Sequence, residues 1–155
     1  MKLDKNDLIV LSQFRNDARC RLTTMSRRTG IPVSTLFDKL QSYERTVFRK
    51  MAPLFDFDAL GFRTRANMLI RSSNSKLHQH LVKHPSVNSL FQVTNGYNFL
   101  AETVFRDLRS LQHFVDELQR TYRAKVDVYY VIEDLKREGF LEDASLIDMP
   151  VDSAS

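Results

Sequence analysis

Cations and small polar side chains are concentrated between residues 27 and 50. Lysine and arginine neutralise phosphates, while hydroxyl and carboxylate groups on a helix can bond to base edges. A segment with both kinds of group suits an anionic polymer with readable edges, which predicts contact with nucleic acid. The candidate contacts are Arg27, Arg28, Ser34, Thr35, Asp38, Lys39, Ser42, Arg45, Arg49 and Lys50.

Three histidines between residues 78 and 84 are the candidate metal ligands. His80 and His84 are four residues apart and share one face of a helix, whereas His78 points to another side. His84 precedes Pro85 and is expected at the helix end, since helices usually end at or before such a residue. We predict neither a metal site nor any other cofactor.

Few residues have a spacing suited to catalysis. The sequence has no P-loop, dinucleotide-binding glycine pattern, nucleophile elbow or HExxH motif. The single cysteine, Cys20, lies between two arginines just before a helix, and we assign it a packing role. We therefore predict that the protein is not an enzyme.

The charge is positive along most of the chain and negative at its end. The net charge is +4; residues 1–60 carry 11 basic and 7 acidic side chains, residues 61–133 carry 10 and 6, and residues 134–155 carry 2 and 6. No apolar run approaches the roughly 20 residues that span a bilayer. With one cysteine and no leading signal segment, we expect a cytoplasmic protein without a membrane partner.

The N-terminal residues predict two helices that support a third. Apolar residues at helical spacing give a helix over residues 4–15, with Asp4 and Asp7 as its cap. A second helix begins at about Thr23, with this residue or the next threonine as its cap, and ends before Gly30.

A third helix is predicted to restart directly after Pro32, which is favoured in a first helical turn. Its polar residues are expected outside, together with most of the candidate nucleic-acid contacts. Two helices joined by a tight glycine-containing turn predict a helix-turn-helix, which makes double-stranded DNA the expected partner. The residues expected on the inner side are Val33, Leu36, Phe37, Leu40 and Tyr43.

Residues 46–57 change in character, with short apolar runs on either side of Pro53. We interpret them as short strands that form a wing, followed by a linker. The N-terminal part is then a winged helix-turn-helix.

Residues beyond Gly61 predict the element order β-α-β-β-α-β. Asn95-Gly96 is a hairpin signal, and Asp107 is expected to cap a helix with Leu108 on its inner side. This order is that of a ferredoxin-like α+β domain, an antiparallel sheet covered by two helices. The predicted strands are residues 66–71, 87–94, 99–105 and 126–132, and the first helix covers residues 75–83. The acidic residues 139–155 are expected to be partly disordered.

The order of several short motifs resembles the Lrp/AsnC family of feast/famine regulators over almost the whole chain. These motifs are Leu3-Asp4, Ile9-Val10-Leu11, Met25-Ser26 through Gly30-Ile31, Pro53 through Leu60-Gly61, His84-Pro85-Ser86-Val87, Val93-Thr94 through Tyr97, and Phe105-Arg106-Asp107-Leu108. The resemblance implies a DNA-binding head over residues 1–50, a wing end and linker over 51–61, and a RAM/ACT-like effector and dimerisation domain over 62–133. Residues 134–155 remain as an acidic tail.

The resemblance also implies a dimer formed through strands of the C-terminal domain, with octamers as a further assembly, and a metabolite bound between subunits. The family loop carries carboxylates where this chain has neutral amides, so we expect no conventional free amino acid as the effector. The corresponding candidate residues are Asn95, Gly96, Tyr97, Asn98 and Asp127.

Two functions remain open at this point. The first is a transcription regulator that binds an inverted-repeat operator as a dimer or larger oligomer, with or without a small-molecule effector. The second is an assembly or ligand-sensing module of the same family whose DNA-binding head is degenerate. A steep loss of DNA affinity with salt distinguishes the first from the second, because neutralised phosphates release counterions.

Overall fold

The computed structural model describes residues 3–146. The contacts divide the chain into two units: a helical unit, with residues up to Pro53 and from Lys136 onward, and a sheet unit, Leu54–Leu135. None of the helices formed by residues 3–146 combines the length and the apolar character that a membrane-spanning segment requires.

The first helix of the helical unit, α1 (Lys5–Asn16), begins with the predicted capping box. The backbone N–H of Asp7 donates to Oδ1 of Asp4 at 2.7 Å, and the N–H of Asp4 donates to Oδ2 of Asp7 at 2.8 Å. These bonds satisfy two N–H groups that have no partner within the helix. One side of the helix, with Val10 at its centre, is buried.

The helix-turn-helix consists of α2 (Leu22–Thr29) and α3 (Val33–Thr46). Gly30 ends α2 at a φ of 73°, a left-handed conformation that glycine adopts without strain. The predicted threonine cap of α2 is wrong: the cap position is Arg21, and no side chain bonds there. Helix α2 begins at Leu22, one residue before the predicted start, because the carbonyl of Arg21 accepts hydrogen bonds from the N–H groups of Thr24 and Met25.

The wing strands predicted for residues 46–57 are wrong. Between Val47 and Arg63, all of which the structure describes, no residue lies in a strand. Phe48 instead packs against the helices, with its ring 5.7 Å from that of Phe14 and 5.9 Å from that of Tyr43. A hairpin needs two runs that can pair, and Pro53 offers no backbone N–H for such pairing.

The sheet unit has the predicted ferredoxin-like order. Four antiparallel strands, β1 (Thr64–Arg71), β2 (Val87–Gln92), β3 (Phe99–Phe105) and β4 (Lys125–Tyr130), are arranged β2-β3-β1-β4. Helix α4 (Leu77–Lys83) connects β1 to β2, and α5 (Leu108–Tyr122) connects β3 to β4.

Alternate residues of β1 form the centre of the sheet core. Met68 and Ile70 are fully buried, together with Leu81 of α4 and Leu118 of α5. Asp107 caps α5 as predicted, by accepting from the N–H of Ser110. Leu108 does not lie inside: it is 58% exposed, and the buried stripe of α5 instead contains Leu111, Phe114, Val115 and Leu118.

The C-terminal segment returns to the helical unit. Leu141 packs against the core of the three helices, Arg15 pairs with Glu138, and the side-chain amide of Asn16 donates to the carbonyl of Glu142 at 2.8 Å. A short 3₁₀ helix, Ala144–Leu146, follows. The disorder predicted for residues 139–155 therefore does not describe 139–146, and residues 147–155 lie outside the described part.

Candidate nucleic-acid interface

The outer side of α3 presents the polar residues that the sequence assigned to it. Ser34, Thr35, Asp38 and Ser42 are exposed, and Gln41 is exposed with them. The opposite side is fixed by Leu36 and Tyr43, which are almost completely buried against α1 and α2. The core thus holds α3 in one rotation about its axis, which decides what this outer surface, the α3 face, can present.

Lys39 does not lie on the α3 face. Its Nζ is 2.5 Å from Oδ1 of Asp7 and 3.9 Å from Oδ1 of Asp4, and its side chain is only 22% exposed. The prediction that Lys39 lies outside is wrong, because the buried carboxylate of Asp7 requires a cationic partner. This contact joins α1 to α3 and keeps the ammonium group from the surface.

The carboxylate of Asp7 is the polar centre of the helical unit. The hydroxyl of Tyr43 donates to Oδ1 of Asp7 at 2.5 Å, beside the ammonium of Lys39. Burial raises the pKa of Asp7, but the hydrogen bonds from the backbone of Asp4, from Lys39 and from Tyr43 outweigh burial and lower it to about 2. Burial and the carboxylate of Asp7 both raise the pKa of Tyr43. Asp7 therefore stays ionised and orients the side chains that position α3.

Two residues expected inside α3 are instead on its exposed side. Phe37 is 50% exposed and Val33 is 41% exposed. Residues 36, 40 and 43 form the stripe that contacts the core. Phe37 is one position beyond Leu36 and is rotated from it by about 100°, whereas Val33 is exposed as the first residue of α3. The apolar spacing alone does not distinguish a stripe of Leu36, Leu40 and Tyr43 from one that also includes Val33 and Phe37.

The predicted phosphate contacts lie at the helix ends and are exposed. Arg27 and Arg28 are in the last turn of α2, Arg45 is in the last turn of α3, and Arg49 and Lys50 follow α3. Arginine and lysine at the margins of a groove-entering helix can neutralise phosphates without carrying sequence information. The arrangement suits a protein that contacts base edges through the α3 face and phosphates through the cations around it.

The hairpin between β2 and β3 has the predicted turn. Asn95 and Gly96 have φ values of 67° and 92°, the left-handed pair that a tight hairpin turn requires. The side-chain oxygen of Asn98 accepts from the backbone N–H of Ser72 at 2.7 Å, and the N–H of Asn98 donates to the carbonyl of Ile70 at 2.9 Å. Asn98 therefore ties the hairpin to the end of β1.

Tyr97 and Asp127 are brought together, although they are 30 residues apart in sequence. The hydroxyl of Tyr97 donates to Oδ2 of Asp127, and Nζ of Lys125 is 3.9 Å from the same oxygen. This ammonium also lies 5.6 Å from the centre of the Tyr97 ring. The hydrogen bond with Asp127 raises the pKa of Tyr97. The carboxylate of Asp127 is already engaged by two groups of its own chain.

A histidine cluster lies between α4 and α5. The side-chain ligand atoms of His80, His84 and Glu117 are all within 4.8 Å of one another, whereas His78 stacks on Phe99. Sequence reasoning did not include Glu117, because it follows some 30 residues later. The backbone N–H of Ser86 donates to Nδ1 of His84 at 3.2 Å. In neutral His84 this bond leaves the ring proton on Nε2, which opposes coordination of a metal there.

The same cluster borders an open cleft of about 420 Å³. Its polar lining consists of His84, Ser86, Arg109, Ser110, His113 and Glu117. Burial lowers the pKa of His84, and the neighbouring His80 lowers it further, while Glu117 acts in the opposite direction. The lowered pKa and the hydrogen bond from Ser86 both favour a neutral His84 ring at the end of α4.

Comparison with known proteins places this arrangement in a family. The profile of the Lrp/AsnC ligand binding domain matches residues 69–140. An uncharacterised HTH-type transcriptional regulator of Pyrococcus abyssi is 30% identical over 131 residues, which cover 82% of this chain and 80% of that protein. The chain belongs to the Lrp/AsnC family of transcriptional regulators.

Other relatives of this Lrp/AsnC protein agree. HTH-type transcriptional regulator FL11 of Pyrococcus horikoshii is 25% identical over 118 residues, or 74% of this chain and 78% of that one. Among solved structures, LrpC of Bacillus subtilis superposes with a TM-score of 0.81 at 14% identity, covering 88% of this chain and 99% of that chain. A Neisseria meningitidis transcriptional regulator in complex with L-Met gives 0.80 at 20% identity, covering 88% and 94%. These structures confirm the fold.

Proposed function

We propose that this protein is a sequence-specific transcription regulator that binds an inverted-repeat site in double-stranded DNA. The observation that carries the proposal is the α3 face: a helix fixed by the contact of Lys39 and Tyr43 with Asp7 presents Ser34, Asp38 and Gln41 outward. Hydroxyl, carboxylate and amide groups on one helix are those that bond to base edges in the major groove.

The cations at the ends of α2 and α3 act on the DNA backbone. Arg27 and Arg28 precede the turn, and Arg45, Arg49 and Lys50 follow the reading helix. Each neutralised phosphate adds to affinity and to its salt dependence, with no preference for sequence. These arginines and this lysine therefore provide the affinity for a random DNA duplex, and the α3 face provides the preference for a particular base sequence.

The sheet unit supplies dimerisation, so that two helical units can bind two half-sites. The sheet face opposite α4 and α5 carries Leu69, Leu100 and Val104, which are partly exposed. A second copy can cover such a face, and a two-fold dimer matches an inverted repeat. Association of dimers into an octamer is a further step in the proposed assembly.

The division of roles follows the two units. Residues 1–50 bind DNA, residues 51–61 link, and residues 62–133 dimerise and take any effector. The acidic residues 134–155 contribute no DNA contact. With this function the protein acts in the cytoplasm, without catalysis.

Any effector differs from a conventional free amino acid. The hairpin presents Asn95, Gly96 and Asn98, none of which carries a charge, and Asp127 is engaged by Tyr97 and Lys125. A zwitterion taken from water needs a partner for its ammonium group. A ligand without a primary ammonium group fits this hairpin better.

Selection of bound sequences from a random duplex pool tests the proposal. We expect enrichment of a palindromic site whose affinity falls steeply between 50 and 200 mM salt, as expected for several neutralised phosphates. Arg28→Ala is expected to weaken specific and random duplexes by similar factors. Lack of enrichment would contradict the proposal.

An assembly or ligand-sensing module with a degenerate head is the second candidate. One observation favours it: Asp38 is exposed on the α3 face, while Lys39 is withdrawn to Asp7. The α3 face itself is therefore poor in positive charge. A salt-independent association with another protein of this fold, together with no DNA enrichment, would support this candidate.

A further inference from the structure

Two apolar side chains lie exposed within the α3 face. Phe37 and Val33 are four residues apart and are therefore neighbours on one side of the helix. Half of the Phe37 side chain is accessible, and Ser34, Asp38 and Gln41 surround it in the helical order. Isolated exposed apolar residues are common, but these two lie in the N-terminal half of α3, the end of a recognition helix whose side chains contact base edges.

The size of this apolar pair excludes a protein partner held by it alone. A stable protein interface buries about 800 Å² on each side, whereas a whole aromatic side chain offers about 150–250 Å². The outer side of the pair is bordered by polar residues, and its inner side by Leu36, which is buried, and Leu40, which is partly buried, so little further apolar area is exposed beside it on α3. A small apolar group on an otherwise polar partner fits better.

The charges around the pair indicate which partner carries that group. Residues 1–53 contain 11 lysines and arginines against 5 acidic residues, and exposed arginines stand at the ends of both α2 and α3. This surplus favours an anionic partner. In the major groove of DNA, the apolar group on the base edges is the 5-methyl group of thymine, and phenylalanine can contact it.

We propose that Val33 and Phe37 contact thymine 5-methyl groups in the major groove, and that these contacts set part of the sequence preference. Gln41, one helical turn beyond Phe37, can bond to the N6 and N7 edge of an adenine. The preferred half-site then contains A·T base pairs at the positions where α3 lies in the major groove. This inference rests on the proposed DNA-binding function.

The test removes single methyl groups from the DNA. After a bound site has been selected from a random pool with the full-length protein, each thymine is replaced in turn by deoxyuridine, and dissociation constants are measured. We expect a three- to fivefold loss at one or two thymines, the factor for one methyl group removed from an apolar contact. Phe37→Gln is expected to bind more weakly and to show no further loss with deoxyuridine at the same position.

The control variant is Leu108→Gln, which changes a similarly exposed apolar residue in the sheet unit. It should retain the full methyl effect. Melting curves of Phe37→Gln and of Phe37→Leu establish that the helical unit is folded, and Phe37→Leu should keep part of the effect.

Three outcomes would overturn the inference. Enrichment of a site that is indifferent to every thymine methyl contradicts the inference while leaving the proposed function intact. Absence of any enriched site contradicts both. A change in sedimentation of Phe37→Gln with an unchanged methyl effect shows instead that another copy of the chain covers this face.

Discussion

At the scale of single residues, one carboxylate decides which side chains of α3 are available. Asp7 caps its own helix through its side chain and also holds Lys39 and Tyr43. Because an unpaired buried carboxylate is costly, the nearest cation is drawn to it rather than left in solvent. Lys39, which the sequence predicts to contact DNA, therefore has a structural role instead.

Lys39→Ala should lower stability and leave base preference unchanged. Removing the ammonium leaves Asp7 with a buried charge, at a cost of about 2 kcal/mol, less than that of a fully buried pair because Lys39 is partly exposed and other donors remain. Urea denaturation and the affinities for single-substitution sites measure the two effects. Arg28→Ala, at an exposed position, is the control and should leave the stability unchanged. If the variant loses its preference at one base pair and keeps wild-type stability, Lys39 contacts a base and the prediction is wrong.

Acid should destabilise the helical unit through Asp7. The pKa of this carboxyl is lowered from 3.8 to about 2 on folding, so its ionisation stabilises the fold above pH 4. That contribution, about 2 kcal/mol, is lost as the pH falls from 4 through 2. Chemical denaturation between pH 2 and pH 6 measures it, with Asp7→Asn as the variant whose pH dependence is smaller. Equal slopes for the two proteins would contradict this assignment.

At the scale of elements, the β2–β3 hairpin shows how a turn can keep its shape and change its chemistry. Asn95 and Gly96 supply the left-handed conformations, and Asn98 bonds to the backbone of Ser72. These bonds need an oxygen acceptor at position 98, which an amide and a carboxylate both provide. The charge of the loop can therefore vary with little effect on the fold.

Asn98→Asp should increase affinity for amino acids, because a carboxylate gives the ammonium group an ionic partner. The wild-type protein should show no rise in melting temperature with millimolar amino acids. Saturation at 100 times the dissociation constant would add about 2.7 kcal/mol, which a melting curve detects. Asn88→Asp, in a neighbouring strand, controls for added charge. A clear stabilisation of the wild-type protein by any standard amino acid would contradict the prediction.

At the scale of the whole molecule, the described C-terminal residues belong to the same unit as the three N-terminal helices. The segment after Leu135 leaves the sheet unit and packs on α1, through Leu141, Glu138 and the carbonyl of Glu142. The helical unit is therefore built from two distant parts of the sequence. A fragment of residues 1–53 lacks the part of this core that Leu141 supplies.

Leu141→Ala should destabilise the helical unit by about 1–3 kcal/mol, in the lower range for removing a core leucine because the residue is only partly buried. Leu135→Ala is the matched control, since Leu135 is 89% exposed and should change stability by less than about 0.5 kcal/mol. Thermal unfolding of the full chain compares them. Equal effects would show that the C-terminal segment does not contribute to the core.

Residues 54–135 alone should form at least a dimer, because the sheet face opposite its two helices carries apolar side chains that a second copy can cover. Sedimentation of this fragment measures the association. Residues 1–53 alone should stay monomeric and bind DNA weakly, and a monomeric sheet fragment would contradict the role proposed for this unit.

The sequence by itself determined the elements, because their signals are local. The Asp4 and Asp7 capping box, the Gly30 turn and the Asn95-Gly96 hairpin each depend on residues within a few positions. The order of strands and helices followed from periodicity, and the motif order identified the family. The strand prediction for residues 46–57 is wrong because a short apolar run near a proline is compatible both with a strand and with an irregular segment that packs on helices.

The tertiary structure alone decided which side chains are free to act. Periodicity places a residue on a helix face only within a turn, so it could not distinguish the stripe of Leu36, Leu40 and Tyr43 from one that included Phe37. Nor could it show that Asp7, 32 positions away, takes Lys39 from the surface. Likewise, Asp127 meets Tyr97 only after the sheet is assembled. Such pairings arise because buried charges and hydrogen-bonding groups find partners in space, whatever their separation along the chain.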